Sequence, residues 1–203
     1  DANKKRVFYS KDITVELGKQ SFESKDGLYR FTFDNFSAST AARNLKIAKL
    51  RVKPLLPEMA FSKKFSTQHD RYDISLKGVE LKEIDFNQLM NDDRLVVGLL
   101  DLQDGDVNIF MNRELPPVTF DKGRNYPQNA LKRLKLITTI DTVRIGATSI
   151  RYTEYNPKSR RKGTVAFDRF NATILNITND PLRLRKDRWA RISTSSYLLN
   201  EAK

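Results

Sequence analysis

The sequence predicts a mainly β fold with a few short helices (a β-rich α+β fold), in which one curved antiparallel or mixed sheet is partly covered by the helices. The first observation is that apolar and polar residues alternate along most of the chain, which is typical of half-buried strands. The second is that the clear breaks in this alternation mostly fall near Gly78, Gly105 and Gly146, where a bulge or tight turn re-aims the side chains. Together they predict repeated strand–kink–strand units.

Strands are predicted wherever the alternation holds over several residues. In chain order, the alternating apolar positions are Ile13, Val15 and Leu17; Tyr29, Phe31 and Phe33; Leu45 and Ile47; Leu50 and Val52; Ile74 and Leu76; Val79 and Leu81; Leu100 and Leu102; Val107 and Ile109; Val143 and Ile145; Ile150 and Tyr152; Val165 and Phe167; and Phe170, Ala172 and Ile174. The run ISTSSYLL indicates one more strand near the end of the sequence.

Three short segments are predicted to be helical. Residues 57–65 (PEMAFSKKF) have a proline early in the segment, where the missing N–H is not needed. Residues 85–90 (DFNQLM) begin with an aspartate, a residue that caps helices. Residues 127–134 (PQNALKRL) again begin with proline. Loops are indicated at Pro116–Pro117, Asn156–Pro157 and Asp180–Pro181.

Two internal similarities support a repeated unit. FTFDNFSAS (31–39) matches VAFDRFNAT (165–173), with identical residues at four positions. LDLQDGDVNIF (100–110) matches VRIGATSIRYT (143–153) in the spacing of its apolar residues only. Chance similarity between strands is common, so neither match demonstrates duplication, but both favour one strand–kink–strand unit used more than once.

Length and composition exclude several classes of site. The 203 residues suit one domain or two small ones, and the best internal boundary lies at 116–126. The absence of cysteine and the presence of a single histidine exclude cysteine-ligated metals, disulfide scaffolds, thiol nucleophiles and histidine-rich metal sites. With 39% hydrophobic residues the chain is too apolar for disorder. It contains no apolar run long enough for a membrane-spanning helix.

The net charge of +12 is concentrated in the last part of the chain. Residues 1–120 contain 19 basic and 18 acidic residues, whereas residues 121–203 contain 18 basic and 7 acidic residues. Such a surface attracts polyanions, although a solvated basic face without a partner is the alternative. The predicted anion-binding residues are Lys158, Arg160, Arg161, Lys162, Arg183, Arg185, Lys186 and Arg188.

No catalytic constellation can be assembled from the sequence, so we expect no enzyme activity, no metal and no cofactor. His69 stands beside Asp70 in a polar connection, but a nucleophile elbow is missing. Asp104 and Asp106 lack the spacing of a calcium loop, and an Asp-Gly turn between or within strands explains them better. Basic residues alternate with aromatic ones in the last third, yet the pattern fits no nucleic-acid-binding motif, and we expect no nucleic-acid partner.

Two runs of the chain resemble a known family. They are DGLYRFTFDNFSASTAARNLKIAKLRVKP, from Asp26 onward, and IDTVRIGATSIRYTEYNPKSRRKGTVAFDRFNATILNITND (140–180). Both resemble the large AsmA-like envelope proteins of Bacteroidetes, related to the AsmA and TamB group. Residues 61–90 and 100–117 have a similar strand pattern. The resemblance rests on strand patterns and not on catalytic signatures. It implies a long periplasmic β-structure, held by a membrane anchor outside this chain, with an apolar groove for lipid.

The resemblance therefore implies that residues 1–203 are one β-rich section of a larger envelope protein on the periplasmic side. Its expected role is to support lipid transport or outer-membrane homeostasis, with phospholipid, lipopolysaccharide or other envelope proteins as partners. A binding module for an anionic glycan, lipid headgroup or protein is the alternative. The large residues expected on the apolar face are Phe31, Phe33, Phe36, Val165, Phe167 and Phe170. A sandwich core sealed against itself is the simpler interpretation of these six residues, and a lipid groove is the other.

Overall fold

A computed structural model describes residues 10–117, 131 and 135–201, and within these ranges the strands form one mixed sheet of ten strands. The strands are β1 (Thr14–Leu17), β2 (Gln20–Glu23), β3 (Tyr29–Ser39), β4 (Asn44–Pro54), β5 (Arg71–Lys82), β6 (Arg94–Gln103), β7 (Gly105–Asn112), β8 (Ile137–Asn156), β9 (Arg161–Thr178) and β10 (Arg191–Glu201). The short helices in the described part are α1 (Glu58–Ser62), α2 (Phe86–Asn91) and α3 (Pro181–Lys186). The predicted fold class, mainly β with a few short helices, is confirmed.

The strand order across the sheet is β1-β3-β4-β5-β6-β8-β9-β10. Two short strands, β1 and β2, pair with successive parts of β3. In the middle of the sheet, β6 and β7 lie end to end between β5 and β8, and both run parallel to β8, whereas the other neighbours are antiparallel. Strands on both sides of the 116–126 segment therefore belong to the same sheet.

The helices lie at the two ends of the strands. Helix α1 connects the end of β4 to the start of β5, whereas α2 and α3 lie at the opposite end, before β6 and after β9. The predicted helices at 57–65 and 85–90 are present, the first of them shortened, and the side chain of Asp85 accepts a hydrogen bond from the Gln88 N–H at 3.0 Å. The predicted helix at 127–134 lies, apart from residue 131, outside the described residues.

The prediction of a loop at Asp180–Pro181 is wrong. Pro181 opens α3, where proline fits the first turn, and the Asp180 side chain caps the helix by accepting from the Leu182 N–H at 2.9 Å. Strand β2 (QSFE) was not predicted, because four residues with a single large apolar side chain give too little alternation to recognise.

A line of kinked residues crosses the sheet from β3 to β9, and we call it the crease. It comprises Asn35, Ala48, Gly78, Asp104, Ala147 and Arg169. These residues lie beside one another on neighbouring strands. Ala48 is opposite Gly78, because the residues on either side of Ala48 pair with those on either side of Gly78. The Asp104 N–H donates to the carbonyl of Gly146 at 3.1 Å. All except Ala48 have positive φ, from +45° at Ala147 to +72° at Gly78.

The predicted breaks near Gly78, Gly105 and Gly146 all fall at this crease. The internal similarities also align with it. Asn35 and Arg169 occupy the same position in the first pair of matching segments, and Asp104 and Ala147 occupy the same position in the second. The predicted strand–kink–strand unit is therefore present. In each copy the kink falls at the same position, and the residue there has a left-handed backbone conformation.

The crease keeps the apolar side chains on one face. Along the strands from β3 to β9 most apolar positions are two residues apart, but at the crease they are three apart, as from Phe33 to Phe36 and from Phe167 to Phe170. The three-residue spacing recurs nearer α2 and α3, from Ile140 to Val143 and from Ile174 to Ile177, where Asn176 also has positive φ. The crease residues themselves are exposed, whereas Val79, Thr148 and Ala172 on the apolar side are buried. The sheet is thus curved around its apolar face, which we call the inner face.

The opposite, outer face is charged. Its ion pairs join neighbouring strands, as in Lys46–Glu80 at 3.0 Å, Arg144–Asp101 at 3.5 Å and Arg151–Asp106 at 3.2 Å. In the described part of the chain, none of the six large apolar residues is fully buried, which differs from the sealed sandwich core that the sequence favoured for them.

Candidate functional site

The six predicted apolar residues all belong to the inner face. Phe31, Phe33 and Phe36 pair with Val52, Leu50 and Ile47 of β4. Val165 and Phe167 pair with Tyr152 and Ile150, and Phe170 pairs with Thr148 of β8. Because paired residues of neighbouring strands project to the same side, these side chains belong to one surface that runs without interruption from β3 to β9.

This surface is only partly covered. The five phenylalanines of the predicted set are half-buried, and Val165 is 41% exposed. Among the fully buried apolar side chains, Phe61 and Ile84 lie near the strand ends, whereas the smaller Val79, Val143 and Ala172 lie on the inner face itself. In the described part of the chain, the inner face has no second sheet over it and the helices lie at its ends. Within the described residues, its large side chains are therefore left partly accessible.

At the crease, the inner face is closely packed around Gly105. Gly105 is buried, and a Cβ atom added there would lie 2.8 Å from the Thr148 Oγ1 and 3.0 Å from the Leu76 Cδ2. A larger residue at this position would have to displace the side chains of Thr148 and Leu76. These side chains of β8 and β5 therefore pack over Gly105 at the crease.

At the end nearer α1, the inner face terminates in tyrosines. Tyr72 and Tyr152 both pair with Ile109, so the three form one row across β5, β7 and β8. The hydroxyl oxygen of Tyr29 accepts from the Tyr72 N–H at 3.1 Å, and the Tyr72 hydroxyl donates to the Asp70 carboxylate at 3.2 Å. This tyrosine row gives the apolar surface a polar border on that side.

The tyrosine row remains neutral at physiological pH. Burial raises the pKa of Tyr72 and that of Tyr152 to about 12 in each case, and the neighbouring Asp70 carboxylate adds to both shifts. Burial also raises the pKa of Asp70, one of whose oxygens has no hydrogen-bond partner among the described residues. The row consequently supplies hydroxyl groups and not phenolate charges.

The predicted anion-binding residues are separated into two clusters. Lys158, Arg160, Arg161 and Lys162 form the turn cluster between β8 and β9, at the α1 end of the sheet. Arg183, Arg185, Lys186 and Arg188 form the α3 cluster, at the other end. The turn cluster includes the first two residues of β9, and the rest of this strand separates the clusters by a contour of about 50 Å. All eight side chains are exposed, but no single small anion can reach both clusters.

Some of these cations already have partners. Lys162 forms an ion pair with Glu58 of α1 and lies over the ring of Phe110, and Arg183 pairs with Asp141 at 2.5 Å. The five without an ion pair or ring partner in the described part of the chain are Lys158, Arg160, Arg161, Arg185 and Lys186. They are the strongest candidates for an external anion.

The sequence shows basic residues interleaved with aromatic ones in the last third, but it does not predict that apolar residues are exposed beside the α3 cluster. Leu182 is 63% exposed and Trp189 is 66% exposed, and both project from the same connection as the cations. They belong to the run PLRLRKDRW, where large apolar residues are interleaved with basic ones. Their exposure follows from the capping of α3, which the predicted loop at Asp180–Pro181 does not include.

The remaining residues considered in the sequence analysis, His69 and Asp104, have structural surroundings that suggest no chemical role. His69 is exposed and stacks on Phe65, with ring centroids 4.1 Å apart. Asp104 occupies the crease between β6 and β7 and pairs with Lys77, where the sequence predicted an Asp-Gly turn between or within strands. Among the described residues, no group of three or more histidine, aspartate or glutamate side chains is arranged to hold a metal ion. None of the described helices has the length and apolar character needed to cross a bilayer.

No protein-family model matches this chain, and no curated protein or solved structure is significantly similar to it.

Proposed function

We propose that this chain is a non-enzymatic section of an AsmA-like envelope protein and that its inner face shelters the acyl chains of lipid. The observation that carries the proposal is the inner face itself, a continuous apolar surface across β3 to β9 that the described residues leave half-exposed. Monomeric proteins seldom expose apolar patches of this extent without a ligand or partner. The resemblance noted in the sequence supports a location on the periplasmic side of the cell envelope and a role in lipid transport or outer-membrane homeostasis.

The shape of the surface favours acyl chains over a compact apolar ligand. The apolar positions follow the strands in rows, which shift by one residue at the crease and again nearer α2 and α3, and the hydroxyl groups of the tyrosine row stand at one end of them. A long hydrocarbon chain matches such rows along its whole length. The hydroxyl groups at the border offer hydrogen bonds to the ester or phosphate oxygens of a lipid.

The test is a titration of the purified chain with a phospholipid that carries a fluorescent fatty acid. Val165→Asp places a carboxylate on the inner face at an exposed position, and we expect the affinity to fall about ten-fold or more, because a charged side chain in hydrocarbon costs about 3 kcal/mol. Leu175→Asp is the matched control. Leu175 is 39% exposed on the same strand, but it pairs with Thr142 on the outer face. Absence of lipid binding by the unmodified chain, or equal losses in both variants, would refute the proposal.

The second candidate function is a binding module for an anionic glycan, lipid headgroup or protein. It is favoured by the exposed cations of the turn cluster, of which Lys158, Arg160 and Arg161 have no ion pair among the described residues. In the first function the inner face binds the lipid, whereas in the second the exposed cations bind the ligand. If the chain binds heparin, used as a model polyanion, but takes up no fluorescent phospholipid, the second function replaces the first.

A further inference from the structure

Large apolar side chains are exposed at one end of the sheet, outside the strands. Leu182 lies in α3, Trp189 follows it, and Met90 of α2, at the same end, is 48% exposed. A solvent-exposed tryptophan is unusual, since this side chain is highly buried on average. Leu182 and Trp189 do not belong to the inner face, so acyl-chain binding there does not explain them.

These apolar residues are surrounded by uncompensated positive charge. Arg185 and Lys186 have no ion pair in the described part of the chain, and Arg188 lies over the Trp189 ring at 5.2 Å from its centroid. The nearest acidic residue in sequence, Asp187, is neutralised by Arg191 at 2.9 Å. Tryptophan and leucine beside several cations is the composition of segments that lie in a membrane interface, where the apolar groups enter the headgroup region and the cations meet anionic lipid.

The segment is held in a fixed orientation. Asp180 caps α3 and forms an ion pair with Arg94 at the start of β6. The Asn176 side-chain amide donates to the carbonyl oxygens of Asp187 and Trp189, at 3.0 Å and 3.1 Å. Trp189 is therefore anchored through its backbone while its ring faces solvent. A pre-ordered apolar group binds with little loss of conformational entropy.

We propose that residues 181–189 form a docking tip for the surface of an anionic lipid bilayer, with Leu182 and Trp189 entering the interface and Arg185, Lys186 and Arg188 contacting lipid phosphates. Docking at this tip does not require that the inner face carries lipid. In this orientation the α2–α3 end of the sheet faces the membrane, and the turn cluster, at the other end of β9, lies away from the membrane.

The full chain can be tested with its own tryptophan, because Trp189 is the single tryptophan of the sequence. We expect vesicles of mixed phosphatidylglycerol and phosphatidylcholine to shift its fluorescence to shorter wavelength and to protect it from acrylamide. Vesicles of phosphatidylcholine alone should produce a much smaller change. If the chain sediments with anionic vesicles while the Trp189 emission stays unchanged, the tip is not the docking surface.

Matched charge variants locate the contact. Arg185→Gln with Lys186→Gln removes two cations from the tip, and we expect vesicle partitioning to fall more than ten-fold, since each cation near an anionic surface contributes about a five-fold gain. Arg160→Gln with Arg161→Gln removes the same charge from the turn cluster and should leave partitioning unchanged. Equal losses in the two double variants would overturn the proposal. Val165→Asp should dock normally, which separates this test from that of the inner face.

Discussion

At the scale of single residues, some residues of the crease adopt the left-handed backbone conformation although their side chains do not favour it. Of its positive-φ residues only Gly78 is a glycine, and Ala147 and Arg169 each bear a Cβ in this conformation. A non-glycine residue there costs about 1–2 kcal/mol. The surrounding sheet enforces the geometry: the Ala147 N–H donates to the Asn171 side-chain oxygen at 3.0 Å, and both neighbouring strands are paired on either side of it.

Exchanging glycine and alanine along the crease tests this strain. Ala147→Gly relieves the steric cost at an exposed site, and we expect the free energy of unfolding to rise by about 0.5–1 kcal/mol after the greater chain entropy of glycine is subtracted. Gly78→Ala should lower it by about 1 kcal/mol or more, because φ is positive there. Urea denaturation measures both changes.

Gly163→Ala is the control for these substitutions. Gly163 lies in β9 with ordinary negative φ, and an added Cβ meets no atom within 4 Å. The substitution should leave stability unchanged or raise it slightly by restricting the unfolded chain. A loss at Gly163 equal to that at Gly78 would mean that the crease conformation is not the source of the effect.

At the scale of secondary-structure elements, α3 is attached to the sheet through Asp180. This carboxylate is 3% exposed, caps the helix and pairs with Arg94, so one side chain joins the start of β6 to the start of α3. The N–H donor of Leu182, and after it the Arg94 guanidinium, hold the pKa of Asp180 below its usual value of 3.8. The ionised form is thus the one that stabilises the fold.

Asp180→Asn keeps an acceptor for the cap but removes the charge. We expect it to lower the free energy of unfolding by about 2 kcal/mol at neutral pH, less than for a fully buried pair because Arg94 is partly solvated. Since the folded-state pKa is depressed, the stabilisation is complete above pH 3.8 and disappears as the pH falls through the folded-state value. The unmodified protein and the variant should therefore converge in acid, as measured by urea denaturation at several pH values.

The exposed ion pair of Arg183 with Asp141, which also joins α3 to the sheet, provides the comparison. Because both partners are solvated, Asp141→Asn should cost less than about 1 kcal/mol. Equal losses at Asp141 and Asp180 would indicate that burial of the Asp180 carboxylate contributes nothing.

The elements also differ in how far the sequence could predict them. Most strands were predictable because one of their faces is apolar, so apolar and polar residues alternate in the sequence. The crease was predictable where it contains a glycine, as at Gly78. The kinks at Asn35 and Arg169 carried no such mark, since nothing in those residue types requires positive φ. Strand β2 and helix α3 were missed because short elements are fixed by pairing and capping, whose partners, such as Arg94 for Asp180, are distant in sequence.

The candidate site was predictable in its members but not in its arrangement. The six inner-face residues follow from alternation alone, which assigns a side of the strand without knowledge of its neighbours. Whether a second sheet covers them depends on long-range pairing, which one sequence does not specify. The eight cations were recognised from composition, whereas their division between two ends of the sheet follows from the length of β9.

At the scale of the whole molecule, the stability of the sheet is expected to decrease from its middle to its edges. Strands β5 to β8 are paired on both sides over much of their length and hold several of the buried side chains, including Val79, Val97, Phe110 and Val143. The edge strands β1 and β2 have exposed residues throughout, and so does β10 at each position from 191 to 198. Within the described residues, each of these edge strands pairs with one neighbouring strand only.

Hydrogen exchange followed by mass spectrometry measures this gradient. Backbone amides open with free energies from near zero at frayed edges up to the global value in the core. We expect the amides of β8 to exchange most slowly and those of β1 and β2 to exchange within the earliest time points. In β10, the alternate amides that point away from β9 have no partner in the described chain and should be unprotected. Protection of those outward amides equal to that of β8 would contradict the gradient and indicate a strand added to β10 in solution. Loss of that protection on dilution would then identify the added strand as one from a second copy of the chain.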